Sequence, residues 1–263
     1  MWLINKHADA LLFGIPFALF AGMLVLLEVG RRAGNRRLAE DPEGAKERLG
    51  AVEGAIFGLL GLLIAFTFSG AAARFDKRRE MVVAEANQLG DAWARLDALP
   101  KAAQPAIRDG MRRYLESRLE TYRRMPDMEA VKEELRRSEK IQDEVWKAAV
   151  AACELPDGQR VTMLVLPALD TAFDWTLVRT ASSMHHPPPI IWIMLLALAF
   201  ASALVAGYGM SGGRKRNLAY MVGFAAAMSV AVYTILDIEF PRVGLVRVDA
   251  VDQLLKDVLE RMK

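Results

Sequence analysis

Residues 54–73 read GAIFGLLGLLIAFTFSGAAA, and residues 74–96 continue as RFDKRREMVVAEANQLGDAWARL, with no proline in either stretch. The first twenty residues carry no charge and are long enough as a helix to cross the hydrocarbon core of a bilayer. Beyond them the apolar residues thin to Val82, Ala86, Leu89, Trp93 and Leu96, spaced four, three, four and three as in a heptad seam. Pro100 is the first breaker. The spacing therefore predicts one helix of about 46 residues, roughly 69 Å long, that leaves the membrane and continues as a coiled-coil-like element.

Three further uncharged runs, Ala10–Leu27, Thr180–Gly213 and Asn217–Leu236, approach or exceed the span length. Apolar residues make up 53% of the chain and charged residues 25%, so the two must be segregated along it, which excludes a soluble enzyme. The expected fold class is all-α: a four-span transmembrane protein with a helical extramembrane insert between spans two and three. Residues 1–73 form a first hairpin, 74–184 a helical bundle continuing from span two, 185–239 a second hairpin, and 240–263 an amphipathic C-terminal helix.

Within the insert, Pro105 starts a helix carrying Ile107, Met111, Leu115, Leu119 and Tyr122, and Asp127 after Pro126 is an N-cap for the next. A last insert helix brings Leu169, Phe173 and Leu177 towards the others. Val251, Leu254, Leu255, Val258, Leu259 and Met262 give the C-terminal helix one apolar face, to lie on the bundle or on the membrane.

The 34 Lys and Arg against 32 Asp and Glu leave no basic field for nucleic acid. The single Cys153 excludes an internal disulfide and multi-cysteine metal sites, and adjacent His185 and His186 lack the spacing of metal ligands. No phosphate-cradling loop or nucleophile elbow occurs, so neither catalytic chemistry nor a cofactor is expected. The N-terminus reads as a retained first span, with Pro16 a kink site. The two short loops carry nine Lys and Arg and the two tails six, which leans towards cytoplasmic loops, while Arg74, Lys77, Arg78 and Arg79 weigh the other way. The side of the 74–184 insert stays open.

Gly54, Gly58, Gly61, Ala65, Ser69 and Ala72 form a small-residue stripe along span two, a device for close helix contact. The neighbouring Phe57, Ile64 and Phe68 are candidates for an apolar constriction in an oligomer. Arg74, Lys77, Arg78 and Arg79 at the end of that span suit phospholipid headgroups, or anions gathered at a channel mouth. Glu28, Glu53, Asp237, Glu239 and Arg242 sit at membrane edges, where anchoring and ion pairing compete with a role in an ion path.

Residues 53–70, EGAIFGLLGLLIAFTFSG, then Arg74-Phe75-Asp76 and Glu85-Ala86-Asn87, resemble the opening of the bestrophin-like family of bacterial membrane proteins. Leu166-Pro167-Ala168-Leu169-Asp170 with Phe173-Asp174, His186-Pro187-Pro188, and Asp237-Ile238-Glu239-Phe240-Pro241-Arg242-Val243-Gly244-Leu245 resemble it too, in order and over nearly the whole chain. The resemblance implies a multi-pass protein of the bacterial inner membrane with the layout of bestrophin anion channels. Bestrophins are pentamers with aromatic and aliphatic neck residues on the second span, similar in kind to Phe57, Ile64 and Phe68, and they hold the insert in the cytoplasm. Their calcium-binding acidic cluster has no match here. The expected partners are the lipid bilayer, further copies of the chain and small inorganic ions. An oligomeric ion channel and a membrane-anchored scaffold or sensor, binding a partner protein through the insert, are the two functional readings.

Overall fold

The computed structural model describes residues 8–40, 50–124, 127–183, 186–212, 217–246 and 249–262. Expectations on Lys6, the 41–49 connector, Pro126, His185, the Arg214–Arg216 turn and Arg247 lie outside the described residues. The elements are α1 (Ala8–Glu40), α2 (Gly50–Arg95), α3 (Gln104–Arg123), α4 (Met128–Glu154), α5 (Thr162–Ser183), α6 (Pro189–Gly209), α7 (Leu218–Glu239) and α8 (Asp249–Arg261), with 3-10 turns at Leu96–Ala98 and Gln159–Val161. The protein is all-α, and no strand occurs among the described residues.

Two compact units emerge: an apolar one from His7–Arg74 and His186–Leu245, and a charged one that includes Phe75–His185 and Val246–Lys263. In the apolar unit, Leu12, Leu19, Met23 and Leu27 line one face of α1 and pack on Leu195, Ala199 and Ala203 of α6 and Met221, Ala225, Val232 and Leu236 of α7. Lipid tails are as apolar as these side chains, so the packing is driven by van der Waals fit. That fit is closest where α1 crosses α6. A methyl group on Gly30 would overlap the Leu204 carbonyl, and one on Gly207 would overlap the Leu27 carbonyl. Asn35 accepts the N–H of Gly212 at 2.9 Å, and Gly212 turns the chain at φ +79°, where glycine is favoured. The helix α1 runs on past Glu28 to Glu40, because nothing before Asp41-Pro42 breaks it.

The helix α2 is unbroken over 46 residues. Its lower part buries Leu60, Thr67 and Ala71, one narrow face at seven- and four-residue spacing. In the charged unit, Val82, Ala86 and Leu89 of α2 and Leu96 of the 3-10 turn after it join Ile107, Met111 and Leu115 of α3, Ile141 and Val145 of α4, Val165, Leu169 and Phe173 of α5, and Leu255 and Met262 of α8 in one core. Leu255, Val258, Leu259 and Met262 of α8 are thus seated on the bundle, whereas Leu254 of the expected face is exposed and the Val251 side chain lies outside the described residues. Asp127 caps α4, accepting from the N–H groups of Glu129 and Ala130 at 3.2 Å each, which stabilises that helix by about 1 kcal/mol.

One core expectation needs correcting. Leu169 and Phe173 are buried, but Leu177 is 68% exposed and Thr176 turns inward instead. Steps of four residues drift about 40° each around a helix, whereas a step of seven drifts only about 20°. Five described helices, α1, α2, α5, α6 and α7, are long and apolar enough to cross a membrane. The fifth is α5, whose inward face belongs to the core of the charged unit.

Candidate functional site

The densest polar arrangement in the apolar unit surrounds the end of α7. Glu239 is fully buried at that C-terminus, where helix carbonyls disfavour a carboxylate and cations are needed to hold it. Arg74 donates to its Oε2 from Nε at 2.9 Å and Nη2 at 2.7 Å. His186 Nδ1 lies 3.0 Å from Oε1, with its ring tilted over Phe240 at 4.8 Å. Two residues earlier Asp237, 3% exposed, accepts the N–H of Leu245 at 2.7 Å through Oδ1, and Tyr233 Oη reaches the same oxygen at 3.5 Å. The chain after Pro241 therefore folds back over Asp237. A side chain on Gly244 would collide with that carboxylate, so the turn requires glycine.

The charged unit holds a second buried ionic cluster. Glu85 of α2 accepts from Arg118 of α3 at 3.4 Å, from Thr176 at 3.0 Å and from Arg179 of α5, while Arg179 also donates to Asp252 of α8 at 2.8 Å. Arg118 donates to Tyr122 and Thr180, and the Arg179 guanidinium lies 3.7 Å from the Tyr122 ring centroid. Two carboxylates and two guanidiniums leave the cluster neutral. Burial disfavours the Arg179 cation, but Tyr122, Glu85 and Asp252 more than offset this and leave its pKa raised. Tyr114 is pushed up to about 12 by burial against the pull of Arg118. A cleft of about 380 Å³ opens beside Glu120, Arg123, Arg124, Arg137 and Leu259. Arg124 pairs there with Glu120 and Glu134, and Arg137 with Glu134.

The residues singled out in the sequence fall in several places. Among the described residues, Gly54, Gly58 and Gly61 have no atom within 4 Å of an added methyl group; Ala65 and Ser69 are exposed and Ala72 half-buried. At about 100° per residue this stripe lies on the side of α2 away from Leu60, Thr67 and Ala71. Phe57, Ile64 and Phe68 flank it. The Phe57 ring meets Phe224 edge-on at 6.0 Å, Ile64 packs on the core of the apolar unit, and Phe68 is 43% exposed. Arg74 is engaged with Glu239; Lys77 pairs with Glu80 at 3.1 Å and Arg79 with Asp76 at 3.8 Å, while Arg78 is half-buried. Glu28 accepts from Arg31 and Arg32 at 2.8–3.1 Å. Glu53 lies beside Gly209 at the end of α6, and Arg242 is half-buried. Among the described residues no three His, Cys, Asp or Glu side chains converge for a metal ion.

Sequence reading missed Glu85, Arg118, Arg179 and Asp252 as a group, because charged residues on helices ordinarily read as solvated faces. It also missed the α1–α6 crossing, although Gly30 and Gly34 carry a four-residue glycine spacing.

The bestrophin-like domain model matches residues 15–252, and the chain belongs to the bestrophin-like family. With its long apolar helices, it is an all-α membrane protein. No curated protein and no solved structure gave a significant match.

Proposed function

We propose that this is a four-span, multi-pass protein of the bacterial inner membrane that assembles as a homo-oligomer and passes small inorganic ions, anions preferred. Its spans are α1, the lower part of α2, α6 and α7, with 74–184 as an extramembrane insert. The fifth apolar helix, α5, is assigned to the insert because Arg179 near its C-terminal end is buried in an ionic cluster with Glu85 and Asp252.

The observation that carries the reading is the open face of α2. A long apolar helix leaves Gly54, Gly58 and Gly61 without a neighbour among the described residues, while its buried positions, Leu60, Thr67 and Ala71, lie on another side. Small-residue faces in membranes stabilise by close helix approach, and here a second copy supplies the helix. Copies arranged around an axis then bring several α2 helices together, with Phe57, Ile64 and Phe68 beside the contact as an apolar constriction. Anion preference rests on Arg74, Lys77, Arg78 and Arg79, four cations against the three carboxylates Asp76, Glu80 and Glu239 that pair with them. No catalytic role is assigned.

Purified protein in planar bilayers tests this. Wild type passes anions in preference to cations, and Ala at Ile64 or Phe68 raises the current. Absence of current from wild type and both variants, in preparations of proven fold and assembly, would replace conduction with the scaffold or sensor reading.

A further inference from the structure

The helix α1 has an outward face that changes character along its length. At about 100° per residue, Ala18, Val25, Val29, Arg32 and Arg36 share one side of it, roughly opposite the face of Leu19, Met23 and Leu27 that packs inward. Ala18 is exposed, Val25 and Val29 are 61 and 46% exposed, and Arg32 and Arg36 are exposed one and two turns beyond Val29. A surface suited to acyl chains thus runs straight into a basic one. Tyr208 of α6 marks the level of the change. A methyl group on Gly30 would overlap its backbone nitrogen and one on Gly34 its carbonyl, so Tyr208 lies level with Arg32. Tyrosine collects at the boundary of membrane and water, which places Arg32 among the headgroups. Arg36 stands about 6 Å further out, but side chains on a helix lean towards its N-terminus, here back towards the bilayer. Long arginine side chains can therefore converge on one phosphate from both positions.

Charge decides the occupant. From Glu28 to Glu40, four arginines face two glutamates. Glu28 is shared by Arg31 and Arg32, while Arg36 and Arg37 are exposed and have no ionic partner among the described residues. The basic end of α2 is spent differently, with Arg74 on Glu239, Lys77 on Glu80 and Arg79 on Asp76. A phosphodiester between Arg32 and Arg36 turns the rest of its headgroup towards Arg36 and Arg37. An ammonium is repelled there, whereas a glycerol or a second phosphate is accepted.

We propose that an anionic phospholipid occupies the outward face of α1, with its acyl chains along Val25 and Val29 and its phosphate between Arg32 and Arg36. Such a site requires α1 as a membrane span and is independent of the oligomer and of conduction.

Native mass measurements on the purified full chain test the site, with phosphatidylglycerol or phosphatidylcholine of the same acyl chains added. Phosphatidylglycerol is retained at a concentration about tenfold or more below that needed for phosphatidylcholine. Arg32→Gln with Arg36→Gln removes the difference, whereas Lys77→Gln with Arg79→Gln keeps it. Arg36→Gln alone, at an exposed residue with no ion pair to lose among the described residues, lowers the preference about fivefold and guards against a folding defect in the double variant. Equal retention of the two lipids by wild type, or a preference that survives loss of Arg32 and Arg36, overturns the proposal. Release of phosphatidylglycerol by millimolar inorganic phosphate identifies a site for free anions and overturns it too. A double variant that falls to the monomer while still preferring phosphatidylglycerol assigns the face to a second copy of the chain, and the lipid site fails with it.

Discussion

Arg74 donates two hydrogen bonds to a single oxygen of Glu239, a residue 165 positions away and fully buried. The cation at the exit of α2 thereby holds the end of α7. Arg74→Ala should lower stability by about 2–3 kcal/mol, since it takes both Arg74 hydrogen bonds from a buried carboxylate. Glu239→Gln should cost less, because it leaves no buried charge. Thermal unfolding in detergent, with both variants beside wild type, reads the order.

Gly244→Ala should be strongly destabilising, because the added methyl collides with the Asp237 carboxylate that organises the turn. Asp237→Ala removes the obstacle as well as the hydrogen bond. The double variant should therefore lose less than the sum of the two single losses, by about 1 kcal/mol or more in a double-mutant cycle. Simple additivity would mean that the turn relaxes away from the carboxylate.

Gly30→Ala and Gly58→Leu should fail in different ways. The first forces apart α1 and α6 within one chain and lowers the unfolding temperature. The second adds a side chain to an open face and leaves the fold of the chain intact while shifting native mass towards the monomer. Native mass measurements and thermal scans on the same samples separate the two effects.

Tyr114 predicts a pH dependence. Burial pushes its pKa up to about 12 in the fold, above the ordinary 10.0 of a tyrosine, so the unfolded chain loses the proton first as pH rises. The stabilisation is complete below pH 10 and is lost between pH 10 and about 12, to the extent of about 2–3 kcal/mol. Tyr114→Phe should lose correspondingly less stability over that interval. Denaturant titrations at pH 9 and pH 11.5 check the difference.

Glu85→Ala should destabilise the charged unit by about 3–5 kcal/mol, since it leaves Arg118 and Arg179 facing one carboxylate, Asp252. Replacing Glu85 and Arg118 together with Gln and Met should cost less than Glu85→Ala alone. Circular dichroism melts of the full chain test the order.

The sequence made the apolar runs, the Asp127 cap and the long α2 legible, because each is written in neighbouring residues or in helical periodicity. The ionic cluster was not, for Glu85 meets residues 33 and 94 positions away, and separation along the chain carries no sign of pairing. Glycine spacing was legible only in part. Gly30 and Gly34 meet another backbone inside the chain, while Gly54 and Gly58 at the same spacing meet nothing among the described residues. Spacing marks a small-residue face and leaves its occupant unnamed. The outward turn of Leu177 and the inward turn of Thr176 show the same limit, since helical drift decides between residues that composition ranks the other way.

The reciprocal contacts of Gly30 with Leu204 and Gly207 with Leu27 act as a register lock. Sliding α1 along α6 by one residue, about 1.5 Å, would drive side chains into the space that only hydrogen atoms now occupy. The two helices are therefore one rigid body with no shear between them. Displacement within the apolar unit is left to α2, which touches its neighbours along a narrow face, and the Arg74–Glu239 pair is the tether such a movement would have to stretch or break.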